Sequence, residues 1–127
     1  MIHDHQIAKQ NSSDTVLSTK DLRGILLPIP TPFHADGELD LEGLRSNIHT
    51  WNQTGIRGFV LLGSTGERVH LDEREYLEVI KAAREEVAAR EDGVAFIVGA
   101  GQQSTRGTIN EIKKAAAAVH LDGRNPV

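Results

Sequence analysis

Gly63-Ser64-Thr65-Gly66-Glu67 is the stretch whose residue types and spacing best suit chemistry. Two adjacent hydroxyls beside free backbone N–H groups can hold an anion, most simply a carboxylate or a phosphate. The flanking glycines let the backbone approach a ligand closely. No lysine follows Gly66, so this is not a Walker loop. A second reading stays open at this point: a tight strand-to-helix turn whose hydroxyls satisfy neighbouring backbone groups. Gly99-Ala100-Gly101 lacks the third glycine of a dinucleotide fingerprint and reads as a turn that gives room at a strand end. Thr31-Pro32-Phe33 reads as a rigid turn with Phe33 packed down.

The other reactive side chains form no pattern of comparable strength. Glu67 reads as a loop anchor, and Arg57 and Arg68 as surface charges. Ser64 has no base nearby in sequence, and no Gly-x-Ser-x-Gly elbow is present. His3, His5, His34, His49, His70 and His120 include no pair at i, i+4 on a helix, so no metal site is expected. A nucleophilic lysine needs burial or a cationic neighbour to lower its pKa. Lys20, Lys81, Lys113 and Lys114 all read as exposed.

The elements that must position these residues follow from apolar patterning. Arg23 to Leu27 is a short apolar stretch that ends in the proline-rich turn at residues 28–32. Asp36-Gly37 is a turn signal. Asp40 is a helix N-cap, with Leu41, Leu44, Ile48 and Trp51 along one face and Gly55 at the helix end. Gly58 to Leu62 is a second strand. Asp72 and Glu75 form a capping box ahead of the stripe Tyr76, Ile80, Ala83 and Val87. Tyr76, the lone tyrosine, therefore reads as core. Asp92-Gly93 turns into a third strand, Val94 to Val98. Ser104 caps a third helix, with Ile109, Ile112, Ala116 and Val119 on its expected inner face. Strand and helix alternate at a spacing of roughly thirty-five residues, and the strands are apolar throughout, as in parallel βαβ units. Three parallel strands leave two open edges, so the chain reads as the front part of a larger α/β sheet or barrel.

Composition sets the outer limits. The 127 residues are 39% hydrophobic and 25% charged, which suits one globular domain or part of one. Fourteen Lys+Arg against 18 Asp+Glu gives a charge of −4, with no pull toward nucleic acid or an anionic membrane. Aromatics at 4% argue against base-stacking platforms. With no cysteine there is no disulfide and no thiolate nucleophile. No apolar run is long enough for a signal or a membrane span, so a cytoplasmic protein is expected. Residues 1–20 read as a flexible N-terminal tail and 21–127 as the folded part.

Taken in order, Gly24-Ile25, Thr31-Pro32-Phe33, Asp36-Gly37, Asp40, Gly58-Phe59-Val60, Gly63-Ser64-Thr65-Gly66-Glu67, Leu71, Gly99-Ala100-Gly101 and Ser104-Thr105 resemble the dihydrodipicolinate synthase and N-acetylneuraminate lyase family. The resemblance runs from about residue 22 to residue 118. It implies a partial (β/α)8 TIM barrel of about three βα units, the N-terminal part of a class I aldolase. It also implies a Schiff-base lyase or synthase acting on pyruvate or another 2-oxo acid, with no cofactor and commonly as a homo-oligomer. On that resemblance Ser64 and Thr65 bind the keto-acid carboxylate and Ser64 joins a proton relay, while Gly63, Gly66 and Glu67 shape the loop. The family's Schiff-base lysine and relay tyrosines have no counterpart in these residues, so this chain is expected to be inactive alone. The family would continue after the third helix with a small-residue turn and an apolar strand. The stretch 119–127 does not, and resembles a frameshift or a truncated gene. The alternative is a noncatalytic half-barrel that self-assembles or pairs with a partner.

Overall fold

Local chemistry starts each element of the computed structural model, which describes residues 22–90 and 93–119. The expected tail, His3, His5, Lys20, Asp92, His120 and the final stretch lie outside the described residues. The Asp40 carboxylate accepts the Gly43 N–H at 2.8 Å and opens helix α1, Leu41–Trp51. Asp72 and Glu75 form the reciprocal capping box at 2.8 and 2.9 Å that opens α2, Glu73–Ala88. The Ser104 hydroxyl accepts the Gly107 N–H at 3.0 Å and opens α3, Thr105–Val119. The strands are β1, Leu26–Pro28, β2, Gly58–Leu61, and β3, Ala95–Val98. Both pairings are parallel, in the order β1-β2-β3, with Leu27 opposite Phe59 and Phe59 opposite Phe96.

The central strand is the most buried of the three, with Phe59 and Leu61 on one face and the partly buried Val60 on the other. Phe59 and Leu61 of β2 are buried, whereas β1 and β3 are largely half-exposed. β1 begins later than expected and runs through Pro28, a residue an edge strand can accept. The α1 helix ends at Trp51, and Gly55 comes later in the following turn, at φ +79°. Leu44 and Ile48 of α1 and Tyr76, Val79, Ile80, Ala83 and Val87 of α2 fill the core against the sheet. Arg45 ties the two helices through Glu85 at 2.6 Å.

The third helix faces differently from the expected stripe. Ile109 and Ile112 are 47% and 51% exposed, Ala116 is exposed, and Glu111, Ala115 and Ala118 point inward. Small alanines allow close approach to α2, and Arg68, in the short turn Arg68–His70 that precedes α2, pairs with Glu111. No helix among the described residues is long and apolar enough to cross a membrane.

Candidate functional site

The loop after β2 is built by close backbone contacts. The chain turns sharply at Leu62, a buried residue held at φ +58°, and again at Glu67, at φ +56°. Both are strained positions for residues with a Cβ. Gly66 and Gly99 make the turn possible. A Cβ on Gly66 would stand 2.6 Å from the Leu62 nitrogen, and one on Gly99 would stand 2.3 Å from the Leu62 carbonyl oxygen. The buried Thr31 hydroxyl donates to the Gly66 carbonyl at 2.7 Å, and Glu67 N–H donates to the Ser64 carbonyl at 3.2 Å. Thr31, expected only to stiffen a turn, thus fastens the candidate loop to the end of β1.

A groove of about 360 Å³ opens beyond the carboxyl ends of β2 and β3. Ser64, Glu67, Gly99 and Gly101 are among the residues that line it, while Thr65 is exposed beside it and not on its wall. Among the described residues neither the Ser64 nor the Thr65 hydroxyl bonds a protein group. The tight turn of the alternative reading is present, without bonds from these two hydroxyls to the described backbone. Among the described residues no group of three or more His, Asp or Glu could hold a metal ion.

Arg68 is not the surface charge the sequence suggested. Its Nε and Nη2 each donate to the Glu111 carboxylate at 2.8 Å, and Nη1 donates to the Leu71 carbonyl at 3.0 Å. The guanidinium carbon lies 4.1 Å from the centre of the Tyr76 ring. Glu111 also accepts the Gly101 N–H at 3.3 Å and a short hydrogen bond from the Gln102 amide. The Arg68 guanidinium holds the Glu111 carboxyl below its ordinary range. Tyr76 is core, as expected, but its hydroxyl also donates to the Gly99 carbonyl at 3.0 Å, and burial pushes that hydroxyl up to about 12. Sequence reasoning missed this cluster because Arg68 and Glu111 stand 43 residues apart and no local spacing links them. Arg57 is exposed, Glu73 pairs with Lys114, and Lys81 and Lys113 are exposed on helices.

Known proteins resemble this chain in sequence and fold. The family model of the dihydrodipicolinate synthetase family matches residues 21–123. A 4-hydroxy-tetrahydrodipicolinate synthase from Stenotrophomonas maltophilia is 35% identical over 96 residues, which is 76% of this chain and 31% of that protein. The enzyme of the same name from Nitrosospira multiformis is 42% identical over 89 residues, or 70% of this chain and 29% of that protein. Two solved structures superpose with a TM-score of 0.69 each. One is the dihydrodipicolinate synthase of Acinetobacter baumannii complexed with pyruvate, 30% identical, covering 75% of this chain and 32% of that one. The other is the N-acetylneuraminate lyase of Mycoplasma synoviae, 28% identical, covering 80% and 34%. The chain thus spans about a third of the length of the relatives it matches. The three strands and three helices of the described residues are part of the family's barrel fold. On the strength of that match along most of its length, the chain belongs to the dihydrodipicolinate synthetase family.

Proposed function

We propose that this chain supplies the 2-oxo-acid carboxylate cradle of a Schiff-base-forming lyase or synthase. Ser64 and Thr65 bind the carboxylate, Ser64 also serves the proton relay, and Gly63, Gly66 and Glu67 shape the loop. The observation that carries this reading is the unpartnered Ser64 hydroxyl on the groove wall beyond the carboxyl end of β2. In barrels and open α/β sheets, ligands bind at that end. The pyruvate complex of the Acinetobacter baumannii relative supports the ligand class.

In this chemistry a lysine amine condenses with the keto carbon and expels water, and the resulting imine is the electron sink, so no cofactor is needed. Lys81, Lys113 and Lys114 are exposed residues on α2 and α3, and none of them stands on a strand. On this reading the chain binds a 2-oxo acid without forming the imine. Its place of work is the cytoplasm. The expected result with pyruvate and borohydride, read by intact mass, is no adduct. A stoichiometric adduct on one lysine would contradict the reading. Ser64→Ala and Thr65→Val should each weaken pyruvate binding by about tenfold, the usual effect of one lost hydrogen bond to a charged group. Unchanged affinity in both variants would remove the cradle.

A second reading, the self-assembling half-barrel, is favoured by one observation. Among the described residues the outer edges of β1 and β3 have no neighbouring strand, and Ile109 and Ile112 lie open on α3. It predicts a monodisperse oligomer by sedimentation, and a cooperatively folding monomer would end it.

A further inference from the structure

We propose that the Arg68–Glu111 pair is a clasp that fixes the Ser64–Thr65 loop against the loop after β3. Arg68 is then a positioning residue and not itself an anion ligand. The proposal rests on reading that loop as a carboxylate cradle. Arg68 leaves the loop directly after Glu67, so whatever holds Arg68 holds the loop's exit. Each of its three guanidinium nitrogens donates to a protein acceptor, two on Glu111 and one on the Leu71 carbonyl, and its face covers the Tyr76 ring. These bonds use three of its five N–H donors and aim the guanidinium fork at Glu111 and Leu71, although Arg68 also borders the groove.

Glu111 is the other half of the clasp. It gathers the Gly101 N–H and the Gln102 amide from the loop after β3. Tyr76 makes a parallel tie from α2 to Gly99 in that same loop. The two loops that line the groove are therefore joined through one carboxylate. An apolar pair of similar volume would hold α3 as well. It would not fix two backbone segments by directional bonds.

Glu111→Gln separates the clasp from its rival, because it keeps the Arg68 charge and releases its partner. A clasp predicts that pyruvate affinity falls, by about tenfold. A direct anion ligand predicts the reverse, since a freed guanidinium attracts the carboxylate more strongly. Amide hydrogen exchange gives a readout independent of pyruvate. In Glu111→Gln the amides of 63–67 and 99–102 should quicken together, by about tenfold or more, with Val79 and Ile80 unchanged. Arg68→Lys keeps the charge but loses the fork, and should move the same amides less. Quickening in only one loop, or equally throughout the chain, overturns the clasp. If the wild-type chain binds no pyruvate, the cradle reading fails and exchange alone decides the clasp. Should Glu111→Gln not fold, Gln102→Ala removes one tie from an exposed loop, and the same paired quickening is required.

Discussion

Replacing Arg68 by methionine tests the buried pair most severely. Methionine keeps much of the length of the side chain and removes every donor. The Arg68 and Glu111 side chains are only 12% and 7% exposed, so water screens the pair little. The variant leaves a carboxylate held by the Gly101 N–H and the Gln102 amide alone. Stranding a buried charge costs about 3–5 kcal/mol. The two surviving donors offset part of that, so the expected loss is about 2–4 kcal/mol in urea unfolding followed by circular dichroism. Adding Glu111→Leu strands no charge and should recover at least about half of the loss. The pH dependence has a definite sign. Arg68 holds Glu111 below its ordinary value of 4.5, so the pair's contribution is complete above that pH and is lost as pH falls through the folded value. The gap between wild type and Arg68→Met should therefore narrow in acid. A loss below about 1 kcal/mol, or a double variant no more stable than the single one, would refute the reasoning.

Three other outcomes follow from the same geometry. Glu67→Gly should stabilise the chain by about 0.5–1 kcal/mol, because an exposed residue at φ +56° gains from losing its Cβ; equal or lower stability in urea would show that the side chain itself holds the loop. Ile80→Ala should cost about 2–5 kcal/mol, whereas Ile112→Lys should stay within about 0.5 kcal/mol, since one is fully buried and the other half-exposed; comparable losses would mean α3 is rotated from the orientation described. Thr31→Val should cost about 1–3 kcal/mol and quicken exchange at Glu67, by leaving the buried Gly66 carbonyl without its donor.

What the sequence disclosed was local. Asp40, Asp72 with Glu75, and Ser104 announce three helix starts because a cap acts within one turn. Gly58 to Leu62 announces a buried strand because only apolar residues fill it. The Gly-Ser-Thr-Gly-Glu loop falls at its end, so the candidate site was readable in place. What stayed hidden depends on distant partners. Ile109 and Ile112 made an apolar stripe at helical spacing, but α3 turns Glu111 inward because Arg68, 43 residues earlier, meets it there. The left-handed Leu62 and Glu67 are set by how closely Gly66 and Gly99 pack on the Leu62 backbone, and no propensity of leucine or glutamate signals that.

The central claim is that the loop after β2 cradles a 2-oxo-acid carboxylate. A residue-resolved titration of the nitrogen-15-labelled chain with pyruvate tests it most directly. The account predicts saturable shifts at the amides of residues 63–67 and 99–101, with the largest at Ser64 and Thr65. Saturation centred on another part of the chain, or no saturation at the loop, would contradict it.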